Sequence, residues 1–204
     1  MRLRWLGTAG VELQSGDTTI LIDPDLTRNP QAMPQQPLDP SDFMHVNAVF
    51  ITHGHFDHIA ACGELASSAD CPIALHPADL PLWWMHGGAE IFNLQIPDQP
   101  EPKHSLKEGE QITVGSLTFE VISLPGHSPG GVGFYNRLHG WLFSGDVVFS
   151  DGGVGRTDFL GGNEAVLKES IVRILNLPET VEVYPGHGSP TTVESLRMIW
   201  KELL

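Results

Sequence analysis

Residues 52–58 read "THGHFDH", three histidines and an aspartate in seven positions, directly after the apolar run "NAVFI". Imidazole nitrogen and carboxylate oxygen are the ligands that zinc and other first-row ions take. Histidines are bulky and titratable, so a cluster of them leaving a core strand points to metal chemistry before packing. Three later segments repeat the pattern of apolar strand, glycine, metal-capable side chain. "VISLPGHSPG" presents His127, "WLFSGDVVF" presents Asp146 and "VEVYPGHGSP" presents His187. Glycine permits the sharp turn and close backbone approach that such a site needs. The candidate ligands are therefore His53, His55, Asp57, His58, His127, Asp146 and His187.

Seven ligands exceed the need of one four-coordinate ion and suit two that share a carboxylate, each keeping room for water. In a strand-end turn His53 and His55 point the same way, while Asp57 and His58 begin a new direction. This assigns His53, His55 and His127 to one ion, and Asp57, His58 and His187 to the other. Asp146 bridges, because a carboxylate has two oxygens and one imidazole cannot easily span two ions. The expected cofactor is two Zn²⁺, with iron or manganese as alternatives. Ser128, Gly188 and Ser189 sit beside ligands as turn residues, or else as donors behind them. Of the remaining histidines (His45, His76, His86, His104, His139), His76 is the one expected nearest the site.

The elements that must position these groups are short strands. "RLRWL", "GVELQ" and "TTILID" open the chain, separated by glycine-containing turns, and "AVFIT" (48–52) is a buried strand ending at the histidines. Residues 24–40 carry five prolines and read as a long surface loop forming a wall of the site. "CPIALH" is another strand, and "PADLPLWWMHGG" a helix opened by proline and stopped by the glycine pair. Its segment "PLWWM", with Ile91 and Phe92, reads as core helix, with an apolar lid or subunit contact as its other use. "QIPDQPEPKH" is a second proline-rich loop, "QITVGSLTFEVISL" a hairpin turning at Val114-Gly115-Ser116, and "GVGFY" and "GWLFSGD" two further strands. Residues 163–177 form the clearest amphipathic helix: Val166, Leu167, Ile171, Ile174 and Leu175 share a face, and Asn163 caps it. "VEVY" and a terminal helix, "TVESLRMIWKELL", complete the order. Two mixed sheets back to back, with helices on the outer faces, accommodate it.

With 204 residues, 41% hydrophobic and 18% charged, the chain suits a single domain over residues 1–204. The formal charge of −14, with 11 basic residues scattered singly, argues against nucleic acid as a partner. No apolar run approaches the roughly 20 residues of a membrane span. The N-terminus shows no apolar core before a cleavage site, so no signal peptide is expected. The two cysteines, Cys62 and Cys71, read as free thiols of a cytoplasmic protein.

On the "THGHFDH" motif and the later His127, Asp146 and His187, in that order, the chain resembles the metallo-β-lactamase superfamily. The resemblance implies an α/β (α+β) fold, the four-layer αβ/βα sandwich of two mixed sheets, and the ligand set above. Asp23, at the end of "TTILID", matches the family's early aspartate, which supports the ligands from behind. The segments "FSGDVVFSDGGVGRTDFLGGNEAVLKESI" and "YPGHGSPTTVESL" look like the small hydroxyacylglutathione-hydrolase-like (glyoxalase II-like) branch. Full glyoxalase II enzymes continue into a helical domain with basic residues for glutathione. This sequence ends at Leu204, so weak glutathione binding and little discrimination between thiols are expected. The implied reaction is attack of metal-activated hydroxide on a thioester, ester or lactone carbonyl of a small molecule, with Asp57 orienting the nucleophile and taking up its proton. Arg156 and Asp158 of "GRTD" pair as a clasp, Arg156 being the local cation for a substrate carboxylate. The alternatives are a mononuclear iron persulfide dioxygenase using His53, His127 and Asp146, a phosphodiesterase of the same fold, and a metal-binding domain without catalysis.

Overall fold

The computed structural model describes residues 1–25 and 38–203. Among these residues, twelve strands form two sheets of six. The first runs in chain order: β1 (Arg2–Gly7), β2 (Gly10–Ser15), β3 (Thr18–Ile22), β4 (Ala48–Phe50), β5 (Ile73–Leu75) and β6 (His104–Ser105). The second is β12 (Thr191–Thr192), β11 (Glu182–Pro185), β10 (Trp141–Gly145), β9 (Val132–Asn136), β8 (Leu117–Ser123) and β7 (Gln111–Val114). Both are mixed: β1 to β3 are antiparallel and β3 to β6 parallel, while the second sheet is antiparallel except between β10 and β11.

The two-residue period of the strands creates three apolar layers, and hence four structural ones. On β3, Leu21 faces one way and Ile20 and Ile22 the other; on β5, Ile73 and Leu75 oppose Ala74. Leu21, Val49, Ile73 and Leu75 meet the helices α1 (Phe56–Ile59), α2 (Cys62–Ala69) and α3 (Leu80–Trp84) through Ile59, Leu65 and Trp83. Ile20, Ile22 and Val11 instead meet Phe119, Val121, Phe134 and Phe143 between the sheets. The outer face of the second sheet, with Ile122, Leu142 and Val183, receives α4 (Glu164–Leu175) and α5 (Val193–Ile199). Burying Leu167, Ile171, Ile174 and Leu175 of α4 contributes roughly 6–12 kcal/mol before entropic costs. The Asn163 side chain accepts from the amides of Ala165 and Val166 and starts that helix as its sequence indicates.

Several local expectations are revised. The expected helix over 77–88 is not one element, and the irregular stretch runs on to 92. It is a 3₁₀ turn (Pro77–Asp79), the five-residue α3, and a second 3₁₀ segment in which Gly87 and Gly88 are left-handed, with φ of 59° and 78°. Pro81, with no N–H to offer, stands in the first turn of α3 where proline is tolerated, and the left-handed glycine pair reverses the chain after it. "PLWWM" accordingly divides: Leu82 and Trp83 are core, whereas Trp84, Met85, Ile91 and Phe92 are exposed. The helix α2 was not indicated by its small, polar sequence. Residues 26–37 of the proline-rich loop lie outside the described residues. Cys62 and Cys71 are buried free thiols. Among the described residues, no helix is long and apolar enough to cross a membrane.

Candidate metal centre

Strand direction explains why residues far apart in sequence meet. In the second sheet β8, β10 and β11 run the same way, and in the first β3, β4 and β5 do. His127, Asp146 and His187 follow the first trio, whereas Asp23 and the "THGHFDH" turn follow β3 and β4. His55 precedes the one-turn helix α1, which carries Asp57 and His58 in its first turn. Two glycines are required by contact. A Cβ on Gly186 would collide with Asp146 Oδ1 and His58 Cε1, and Gly145, at φ 55°, abuts the Thr52 side chain.

All seven predicted ligands converge. The ligand atoms of His53, His55 and His127 lie within 4.8 Å of one another, and so do those of Asp57, His58 and His187. Asp146 sits between the sets. Its Oδ2 is 3.7 Å from His127 Nε2 and 3.3 Å from His187 Nε2, and its Oδ1 is 3.4 Å from His58 Nε2. His187 Nε2 also meets Asp57 Oδ2 at 3.1 Å. Asp146, together with His53 and His58, forms a third group of the same tightness.

The supporting bonds fix which nitrogen each ring offers. Thr52 Oγ1 donates to Asp23 Oδ2, so its lone pair accepts from His53 Nδ1 at 3.2 Å and leaves His53 Nε2 unprotonated. Asp23 Oδ1 accepts from the Thr52 amide at 2.7 Å, and Asp23 Oδ2 lies 3.0 Å from His58 Nδ1. His127 Nδ1 donates to the Arg156 carbonyl at 2.7 Å, turning Nε2 towards Asp146 and towards His55 Nδ1, 2.8 Å away. Among the described residues, the buried side-chain atoms lacking a hydrogen-bond partner are His53 Nε2, His55 Nε2, both His58 nitrogens, Asp146 Oδ1 and Trp200 Nε1. Buried polar atoms rarely stay unpartnered. Five of these six belong to the cluster; His58 Nδ1 faces Asp23 Oδ2, and divalent cations are the partners the other four fit.

The two sets differ electrostatically. Burial, reinforced by neighbouring histidines, holds His53 well below the ordinary imidazole value and brings His55 down to about 3; burial lowers His127 as well. These rings are neutral near pH 7 and present lone pairs. Burial also pulls down on His58 and His187, but carboxylates outweigh it. Asp146 and Asp23 raise His58, and hydrogen bonds to Asp146 and Asp57 carry His187 up to about 9. Without an ion, protons occupy the second set.

A cavity of about 270 Å³ opens onto His55, Asp57, His127 and Asp146, walled by Phe56, Phe92, Phe149 and Phe159. Arg156 also lines it, with its guanidinium 5.1 Å from the Phe159 ring centre. A two-point bond to Asp158, at 2.7 and 2.8 Å, occupies that cation, as the clasp expectation holds.

Sequence reasoning missed Asp79. Fully buried, it accepts from the Gly54 amide (2.8 Å), the Ser128 hydroxyl (2.7 Å) and the Gly130 amide (2.5 Å), tying the first histidine loop to the His127 loop. The signal was present, since Asp79 follows β5 as the ligands follow their strands, but no glycine precedes it. His76 does not line the site. Its ring accepts from the Ala78 amide at 3.3 Å and caps the turn that delivers Asp79. Ser128 proves to be a donor rather than a plain turn residue.

The model of the Metallo-beta-lactamase superfamily matches residues 4–187. A probable metallo-hydrolase of Bacillus subtilis, YqgX, is 37% identical over 153 residues, 72% of this chain and 70% of that protein. The hydroxyacylglutathione hydrolase GloC of Haemophilus influenzae is 33% identical over 158 residues, 74% of this chain and 72% of its own. The crystal structure of TTHA1623 in a di-iron-bound form superposes with a TM-score of 0.79 at 35% identity, covering 97% of each chain.

Proposed function

The chain belongs to the metallo-beta-lactamase superfamily, and from that premise we propose that it is a metal-dependent hydrolase of small thioesters or esters, akin to hydroxyacylglutathione hydrolases. The observation that carries this reading is Asp146, placed within 3.7 Å of His127 in one ligand set and 3.3 Å of His187 in the other. His53, His55 and His127 would hold one ion, Asp57, His58 and His187 the second, and Asp146 both. The nitrogen and oxygen donors, without thiolate, suit zinc and iron alike, and a similar protein has been crystallised with two irons.

Such ions, when bound, supply Lewis acidity and a water that ionises near neutral pH. The chain's own residues supply the rest. Asp57 borders the aromatic cavity with its carboxylate ionised: burial raises its pKa, but the bond from His187 and the charges of His58 and His187 together more than reverse this. It is placed to orient a water and take up its proton. The Thr52–Asp23 pair and the Arg156 carbonyl hold His53 and His127 in their ligating tautomers. The phenylalanines exclude water around the reacting carbonyl.

The test is a parallel assay of a thioester, a lactone, a phosphodiester and glutathione persulfide, with oxygen uptake recorded. Acyl cleavage without oxygen consumption is the expected result. Oxygen uptake with the persulfide and no acyl cleavage would replace the hydrolase by the dioxygenase.

A further inference from the structure

A second cavity, of about 520 Å³, reaches the same centre from the His187 side. Leu3, Trp5 and Val11 of β1 and β2 wall it on one side, and Tyr184, Pro185 and Pro190 on the other. It lies where the sheets part at their edge. Leu3, Val11 and Tyr184 belong to the inter-sheet apolar layer, yet Trp5 beside them remains 49% exposed.

Resting on the hydrolase reading above, we propose that this cavity is a second substrate subsite, taking an uncharged apolar arm of aromatic or branched-alkyl size. Three observations carry this. First, the centre lies between the cavities. His55, Asp57, His127 and Asp146 line the first and His187 lines the second, with His187 Nε2 only 3.1 Å from Asp57 Oδ2. The two substituents of a planar carbonyl diverge, so a substrate reacting there extends one arm each way. Second, the walls are prepared for carbon. The Trp5 N–H is used on the Thr8 carbonyl at 3.3 Å, leaving the indole face. The Tyr184 hydroxyl donates to Glu182, and its ring is fixed by stacking on Phe143 at 5.0 Å. Rigid aromatic surface of this kind binds apolar groups at little entropic cost. Third, in a chain of net charge −14, none of the described lining residues is Asp, Glu, Lys or Arg. Apart from His187, the described lining offers no counter-ion to the charged ends of glutathione, so it favours a neutral arm.

The experiment uses the metal-loaded full chain and non-hydrolysable ketones in which a methylene replaces the thioester sulfur. One bears a methyl arm, one a phenylethyl arm, and one the phenylethyl arm with a carboxylate added. Affinity is measured by calorimetry, and the Trp5 indole N–H is followed by NMR, assigned through its absence in Trp5→Phe. The phenylethyl ketone should bind about tenfold more tightly than the methyl one and shift the Trp5 signal, and the added carboxylate should remove the gain. Trp5→Ala should abolish the gain with metal content unchanged, and Trp5→Phe should restore most of it. An unmoved Trp5 signal, or a gain lost in Phe92→Ala but kept in Trp5→Ala, overturns the subsite. Thioester turnover would then still support the hydrolase. Conversely, binding at Trp5 with no acyl substrate cleaved upholds the subsite and removes the hydrolase.

Discussion

Asp79 offers a sharp test of how the ligand loops are held. Replacing it with Ala strands two buried backbone amides, Gly54 and Gly130, while the Ser128 hydroxyl can rotate to another acceptor. At about 1–3 kcal/mol for each unsatisfied amide, the cost is about 2–6 kcal/mol. Asp79→Asn should be milder. Burial raises the Asp79 pKa even against its three hydrogen bonds, so desolvation outweighs them in the charged form. A neutral amide escapes that cost and still offers one accepting oxygen, which puts the loss at about 1–2 kcal/mol. The pH dependence has a definite sign. A carboxyl whose folded pKa is raised contributes stability that is present below its unfolded value, about 3.9, and lost as pH rises through the folded value. Wild type should therefore lose stability relative to Asp79→Asn across that acidic window. Urea unfolding of chelator-treated protein at several pH values measures both effects. Metal competition against a chromophoric chelator should show both variants about 10–100-fold weaker for the first ion, because Asp79 fixes the loops of His53, His55 and His127. Asp79→Ala within about 1 kcal/mol of wild type, with unchanged metal affinity, would refute the reasoning.

Metal analysis of purified protein should give close to two equivalents per chain, falling towards one in His187→Ala; a wild-type value of one counts against the dinuclear centre. Asp146→Ala should weaken both ions and His53→Ala chiefly one, so full metal content and turnover in Asp146→Ala would exclude bridging. The two equivalents should also differ in proton release. His187 titrates at about 9 and His58 is raised, so the second ion must displace protons and should bind more tightly as pH rises towards 9. With His55 at about 3 and His53 and His127 lowered, the first should be nearly pH-independent above neutrality. Calorimetry in buffers of different ionisation enthalpy reads both, and equal proton release from the two equivalents would contradict the assignment.

What the sequence revealed, and what it hid, follows from whether a residue's role depends on its own type or on its partners. The seven candidate ligands were legible because each is metal-capable and follows an apolar strand; their atoms gather into the two expected sets and a third, His53, His58 and Asp146, that links them. The two-sheet order was legible because strands such as β3 and β8 alternate between two apolar layers with period two. Asp79 was not legible, since an aspartate after "LHPA" is an ordinary turn residue until Gly54, Ser128 and Gly130 arrive from other loops. His76, the metal-capable type, was favoured in its place and only caps the turn. Trp5 and Tyr184 stand near opposite ends of the chain, and only the parting of the sheets brings them to one cavity. Among the described residues, no Asp, Glu, Lys or Arg lines the second cavity, whereas aromatic carbon does. A protein that fixes its reaction with local, type-specific motifs can set its selectivity with surfaces no motif records, so substrate choice should be sought at Trp5 and Phe92 rather than among the ligands.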